Sequence, residues 1–244
     1  MIVPIKPYPS ILNVWKRGGE KVKHNLVWGA YSIPELSMIN RYHAEEKLDG
    51  EGTQITITPD QIYYNSRNGG KTRPLITCHM DSVLSPSAIR SKFDYVYNGD
   101  KPSYVKLYGE AIGKGIQEGR YYVEDIQRFN LFDVFVGDPT NKDTPIGGWW
   151  LRRINVQDIA KSLGLQTAPV VDTHMTLGRG VSLVSGGFTT LVEPMEDRTA
   201  TKTREAEGLV LRTDPYIFTS KGERIMCKIK TKDMRRLKEW QSKQ

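Results

Sequence analysis

Cysteine and histidine are scarce in this sequence. Its 244 residues hold two cysteines, Cys78 and Cys227, and four histidines, His24, His43, His79 and His174. Two isolated cysteines exclude a disulfide framework and a cysteine-rich zinc cluster. Cys78 and His79 are adjacent, and neighbours on a strand point to opposite faces, so they make a poor chelating pair. Long apolar runs are missing as well. A stretch such as residues 131–136 is short and broken by charge, far below the roughly 20 residues of a membrane span. The opening Met1-Ile2-Val3-Pro4-Ile5-Lys6-Pro7 has no apolar segment of secretory-signal length. A cytoplasmic protein with no membrane partner is therefore expected. Acid is short relative to base, 28 Asp and Glu against 35 Lys and Arg, for a net charge of +7. That balance suits a partner that carries phosphates. No repeat, coiled coil or low-complexity tract is present.

What is present reads as strands with flanking helices. Residues 25–31 form a first expected strand, and 33–41 a short helix with Ser32 as cap and Pro34 in its first turn. Residues 53–58 alternate strictly, with Ile55 and Ile57 on the apolar face. Pro59-Asp60 turns the chain, and 61–65 return antiparallel to end at Ser66-Arg67-Asn68-Gly69-Gly70. A helix is expected over 85–97, and strands over 104–108 and 129–136. The glycine-rich run after residue 108 lacks the following helix and βαβ frame that a dinucleotide fingerprint needs. Residues 137–148 read as a surface loop. Asn155 is expected to cap a helix over 156–163, which Gly164 stops. Residues 170–187 carry some strand and no sharper assignment, and 199–204 are polar and exposed. Strands follow over 207–212 and 224–230, and Asp233 is expected to cap a closing basic helix with Met234, Leu237 and Trp240. Antiparallel strands with flanking helices make the fold α+β, in one domain over 1–244.

The residue that stands out is Lys47, at the mouth of a short strand and followed by Leu48-Asp49-Gly50. A lysine amine becomes a nucleophile only after losing a proton, and its ordinary pKa is about 10.4. Nearby cations, a metal ion and partial burial favour the neutral form. Lys228 and Lys230 offer such cations: they alternate along an expected strand and so face one side.

In chain order the sequence offers Lys47-Leu48-Asp49-Gly50, Ser66-Arg67-Asn68-Gly69, Tyr108-Gly109-Glu110, Leu131-Phe132-Asp133-Val134, Ala206-Glu207-Gly208-Leu209-Val210 and Cys227-Lys228-Ile229-Lys230. This ordered set resembles the motifs of the covalent nucleotidyltransferases, the ATP-dependent polynucleotide ligases and mRNA capping enzymes. The phrase from Gly109-Glu110 to Gly115-Ile116-Gln117 is similar to that of the RNA ligases resembling the second RNA ligase of bacteriophage T4. The resemblance covers about residues 43 to 232 and implies an antiparallel-sheet, ATP-grasp-like adenylation domain with flanking helices. It implies an ATP-dependent RNA ligase that uses ATP and Mg2+ or Mn2+.

Under that resemblance Lys47 takes AMP as a phosphoramidate, and Lys228 and Lys230 neutralise the phosphates. Glu207 holds the divalent metal, a hard oxygen ligand suited to magnesium. Glu110 accepts from the ribose hydroxyls, Arg67 contacts ribose or phosphate, and Glu46 lines the adenine pocket. Phe132 has two readings, a stack on the adenine face or a core side chain of an apolar strand. Asp49 and Gly50 shape the turn. Lys114 and the terminal Lys/Arg cluster read equally as a nucleic-acid contact or a solvated face. The fourteen residues after Lys230 are too few for the OB or helical domain that follows in the resembled ligases. The expectation is a bare nucleotidyltransferase domain, with an accessory protein to supply the missing grip. The expected partners are RNA ends or a nicked duplex. A small DNA nick ligase and a non-catalytic RNA-binding module remain as the alternatives.

Overall fold

The computed structural model describes residues 7–18, 25–58, 61–70, 76, 80, 93, 103–116, 118–122, 126–138, 147–192 and 204–242. The chain divides into two compact units, Met1–Pro9 with Asp49–Ala168, and Ser10–Leu48 with Pro169–Gln244. The chain passes from the second unit into the first directly after Lys47-Leu48.

The second unit is built on a five-stranded sheet. Its strands are β1 (Leu12–Asn13), β4 (Tyr42–Glu46), β11 (Val170–Met175), β12 (Gly208–Arg212) and β13 (Met226–Lys230), in the order β1-β13-β12-β4-β11. All neighbours are antiparallel except β1 and β13. A two-stranded ribbon, β2 (Trp15–Arg17) and β3 (Leu26–Tyr31), belongs to the same unit. The sheet puts one row of side chains into an apolar core, with Tyr42 and Ala44 of β4, Leu209 and Leu211 of β12, and Cys227 and Ile229 of β13 all buried. Burial pushes the Cys227 thiol up to about 12, which marks it as packing rather than chemistry.

The first unit is built on a six-stranded sheet. β5 (Glu51–Ile57), β6 (Ile62–Ser66), β7 (Tyr104–Gly113), β8 (Gln127–Gly137) and β10 (Gln166–Thr167) run in the order β10-β8-β7-β5-β6, and β9 (Gly148–Trp150) also pairs with β8. Its core gathers Ile55, Ile57, Leu107, Phe129, Leu131 and Val134, together with Val156 and Ala160 of helix α1 (Arg153–Ser162). The alternation of residues 53–58 correctly sends Ile55 and Ile57 inward. Its polar side is covered too, since Gln54 and Thr56 are buried.

Several local expectations change. The segment after Ser32 is a 3-10 helix over Pro34–Met38 without a side-chain cap, because the Ser32 hydroxyl donates to the Asn13 carbonyl instead. Asn155 lies inside α1, which begins at Arg153; Gly164, at φ +66°, does follow its end. Residues 170–187 resolve into β11 and helix α2 (Leu177–Gly186), capped by Thr176, whose hydroxyl accepts from the Arg179 amide. Glycine depresses helix propensity by about 1 kcal/mol per residue, which hid α2 in the sequence. At Gly180 a β-carbon would sit 3.4 Å from Ile229 and Leu211 side chains, so its small size brings the helix close to the sheet. The closing helix α3 runs Thr231–Gln241. Asp233 does not cap it but is buried in its first turn and pairs with Arg17 at 3.0 Å. β7 extends five residues past Tyr108, which places Glu110 within the strand rather than in a loop. The expected helix over 85–97 and the turn at Pro59-Asp60 lie outside the described residues, apart from Phe93, which is helical and buried. So do most of the 137–148 loop and of residues 199–204, Cys78, and the histidines His24 and His79. No helix among the described residues is long and apolar enough to cross a membrane.

Candidate active site

Lys47 stands at the end of β4, and its backbone N–H donates to the Gly208 carbonyl at 2.8 Å. Gly208 in turn pairs with Lys230 of β13. Register alone therefore sets Lys47, Gly208 and Lys230 in a row across three strands. Glu207, just ahead of Gly208, completes the arrangement. Its Oε1 accepts from the Lys230 ammonium at 2.6 Å, and its Oε2 from the Lys47 ammonium. All three side chains are partly buried. The glycine between the lysines is obligatory: at φ +150° a β-carbon there would meet the Ile229 carbonyl oxygen at 1.9 Å.

Lys228 lies one repeat farther along β13, paired with Val210, while Cys227 ahead of it and Ile229 between the two lysines enter the core. Lys228 and Lys230 thus share one face, as the alternation predicts. On the same face β4 carries Glu45, opposite Val210, and β12 carries Arg212, opposite His43. Arg212 Nη2 lies 2.9 Å from Glu45 Oε2, and both side chains are almost fully buried. His43 Nε2 is 3.6 Å from the other Glu45 oxygen. Sequence reading missed this pair. The signal was available: Glu45 sits two residues before Lys47, at the period of a strand.

Glu46 is not brought to the lysine. Its carboxylate is buried and accepts from the Thr190 hydroxyl and the Leu191 N–H, both at 2.6 Å. Burial raises its pKa above the ordinary carboxylate range, and the bonds from Thr190 and Leu191 with the charge of Arg204 oppose that rise.

In the first unit a second row forms around Gly52. The Arg67 N–H donates to the Gly52 carbonyl at 2.7 Å, and Gly52 pairs with Glu110 of β7. A β-carbon on Gly52 would come within 3.3 Å of Arg67 Cβ, so the missing side chain lets Arg67 lie along the strand. Glu110 accepts from the Gly50 N–H at 3.2 Å, which ties it to the Asp49-Gly50 turn. Gly50 itself is packed against the Ala111 carbonyl, 2.1 Å from an added β-carbon. The close approach at Gly50 shapes the turn.

Phe132 is the extra residue of a β-bulge: Tyr108 pairs with Asp133 and Gly109 with Leu131, leaving Phe132 between them. Phe132 lies outside the apolar core of Phe129 and Leu131 and packs, partly buried, against a separate aromatic cluster of buried Tyr104, Tyr108 and Phe135. Tyr8 stands edge-on to it with ring centroids 5.1 Å apart, and the Tyr8 hydroxyl donates to buried Asp133 at 2.8 Å. Lys114 is exposed in the turn after β7.

Known proteins point to a family. A sequence model described as RNA ligase matches residues 40–230. The chain belongs to the RNA ligase family. No curated protein sequence matches it. Among solved structures the chain is similar to a mutant of Naegleria gruberi RNA ligase with ATP and Mn, at 19% identity and a TM-score of 0.54, covering 84% of this chain and 54% of that one. The same ligase with PPi aligns at 20% identity and a TM-score of 0.54, over 85% of this chain and 55% of that one. An apo mutant covers 96% of this chain and 60% of its own, at 17% identity and a TM-score of 0.55. At these identities the likeness speaks for the fold: this RNA ligase family member has a mixed α+β architecture of mostly antiparallel sheets like theirs. It spans little more than half the length of those chains.

The Glu207 carboxylate faces Lys47 and Lys230, and no group of three or more His, Cys, Asp or Glu side chains is placed to hold a metal among the described residues. That donor set fits magnesium or manganese, which keep several waters and bind through one or two carboxylates plus substrate phosphates.

Proposed function

We propose that this RNA ligase family member is an ATP-dependent RNA ligase of the subgroup resembling the second RNA ligase of bacteriophage T4, with residues 1–244 serving as its adenylation domain. The single observation that carries the reading is the Lys47–Glu207–Lys230 row. A nucleophile, a hard metal ligand and a cation on one sheet edge are what adenylyl transfer calls for. Lys47 Nζ attacks the α-phosphorus of ATP: an N–P bond forms, the bond to the pyrophosphate oxygen breaks, and the amine gives up a proton. AMP then passes to a 5′-phosphate end, and a 3′-hydroxyl displaces it to seal the strand.

Glu207 would hold the divalent cation, which supplies Lewis-acid stabilisation of phosphate charge when bound. With Glu207 holding a metal, the Lys47 ammonium would lose the carboxylate partner that favours its charged form, which would make loss of its proton, and so a free lone pair, easier. Lys230, left without its carboxylate partner, and Lys228 meet the phosphate charge that develops. Glu110 and Arg67 serve the ribose and phosphate, Phe132 the adenine face, and Glu46 keeps the role that the resemblance implies for it at the adenine pocket. RNA ends or nicked duplexes are the substrates.

The test is direct. Protein incubated with Mn2+ or Mg2+ and α-labelled ATP should retain label after denaturation, and Lys47→Ala should retain none. Label that persists in Lys47→Ala would overturn the mechanism. Pre-adenylated nicks with RNA or DNA on the 3′-hydroxyl side separate the RNA ligase from the DNA nick ligase: equal sealing of both defeats the RNA assignment.

A further inference from the structure

Among residues 7–9 only Tyr8 turns inward: Pro7 and Pro9 are exposed, and Tyr8 between them is half-buried. A residue flanked by prolines has little freedom. Proline fixes its own φ, and the residue ahead of a proline is steered to extended backbone. The Pro7-Tyr8-Pro9 run therefore gives up little further entropy when it places the ring.

That ring stands at the bulge of β8, within the first unit. Its centroid lies 5.1 Å from Phe132, 5.1 Å from Tyr108 and 5.7 Å from Trp150, tilted or edge-to-face in each case. Its hydroxyl donates to Asp133 Oδ2 at 2.8 Å, across 125 residues of chain, and Asp133 is fully buried. Tyr8 thus grips two consecutive residues at the bulge, Phe132 by the ring and Asp133 by the hydroxyl.

A bulge re-aims the side chain of its extra residue. A re-aimed ring serves as a stacking platform only when neighbours lock its rotamer. Two such supports converge on Phe132. Arg153 of α1, almost fully buried, holds the backbone: Nη1 donates to the Phe132 carbonyl at 3.3 Å and Nη2 to the Ala168 carbonyl at 3.4 Å. Tyr8 holds the side chain. A single edge-to-face neighbour cannot cover both faces of a ring, so this grip is compatible with a base stacked on Phe132.

We propose that Tyr8 is a positioning residue for the nucleotide: it holds the Phe132 ring where adenine stacks and so sets nucleotide affinity, taking no part in adenylyl transfer itself. The inference rests on the reading of Phe132 as the adenine platform.

AMP carries the adenine but no leaving group, so its binding is read without transfer to Lys47. Calorimetric titration of the full chain with AMP and Mn2+ compares the parent with Tyr8→Ala, Phe132→Ala and the double variant. Phe132→Ala should weaken AMP by roughly 5- to 100-fold, the range for loss of one base–aromatic stack. Tyr8→Ala should weaken it by about 5- to 30-fold and no more than Phe132→Ala does. The double variant should match Phe132→Ala within about 2-fold, because Tyr8 acts through that ring. Tyr8→Phe keeps the ring and loses the bond to Asp133, so AMP should stay within about 3-fold of the parent while Tm falls. Tyr8→Leu gives the same comparison if the alanine variant does not fold. Unchanged affinity in Tyr8→Ala, or a double variant in which the two losses multiply, overturns the proposal and leaves Tyr8 as packing. Unchanged affinity in Phe132→Ala removes the platform and the proposal with it. Labelling of Lys47 by α-labelled ATP is measured in parallel. At saturating ATP, Tyr8→Ala should label within about 3-fold of the parent rate, with the half-saturating ATP concentration raised in step with the AMP loss. A parent that binds AMP but takes no label refutes the ligase mechanism, and the AMP comparison still decides the role of Tyr8. A parent that binds no AMP overturns both.

Discussion

Replacing Arg212 by methionine should unfold the second unit far more readily than its position away from Lys47 suggests. Arg212 and Glu45 sit on adjacent strands with side chains 3% and 1% exposed, and their charged groups are 2.9 Å apart. At that distance and an effective dielectric near 20, their attraction is about 6 kcal/mol, largely offset by the cost of taking two charges out of water. Removing one partner leaves the desolvation cost of Glu45 without its compensation. The expected loss is about 3–5 kcal/mol, or a fall in Tm of about 6–20 °C at 2–4 °C per kcal/mol. Removing both charges, in Glu45→Met with Arg212→Met, should recover most of it, because two apolar side chains of similar length can fill the same space. Urea unfolding followed by circular dichroism gives both values and their coupling. Two results refute the reasoning: a single variant within about 1 kcal/mol of the parent, or a double variant no more stable than the single one. The first would mean that the pair is solvated, the second that its contribution is shape rather than charge.

Gly208→Ala should disable adenylyl transfer as well as destabilise the chain. Its β-carbon cannot coexist with the Ile229 carbonyl, so β12 and β13 must part and Glu207 leaves the lysines; soluble protein with undiminished ATP labelling contradicts this. Glu46→Gln should change the pH dependence of stability. With a raised folded pKa the native state binds more protons than the unfolded chain above the ordinary value of 4.5, so this carboxyl makes the parent lose stability as pH rises through that window. The variant gives up one of the bonds to Thr190 and Leu191, and its deficit against the parent should narrow as pH rises above 4.5; a deficit that widens would refute the assignment.

Candidate residues were easier to find in the sequence than their geometry was. Lys47, Glu207, Lys228 and Lys230 could be picked out because residue type and order along the chain carry the signal, and strand alternation put the two late lysines on one face without any tertiary information. The strict pattern of residues 53–58 worked for the same reason. Local rules failed where a distant contact outbid them. Asp233 looks like a helix cap but is claimed by Arg17, and Ser32 is claimed by Asn13. The helix over Leu177–Gly186 was hidden by its glycines, of which Gly180 packs against β12 and β13 at the expense of helix propensity.

By itself, then, the sequence determined the fold class and the family resemblance and singled out a candidate amine, since each depends on residue type and spacing along one chain. Tertiary structure decided what each charged group does. The pairing of β4, β12 and β13 delivers Glu207 to both Lys47 and Lys230, across 160 residues of chain in the first case. It sends Glu46 to Thr190 and Leu191, and it buries Glu45 with Arg212. A bulge of one residue takes Phe132 out of the core. Register and bulges are settled when strands meet, by the cost of leaving backbone groups unpaired, and no local pattern encodes that outcome.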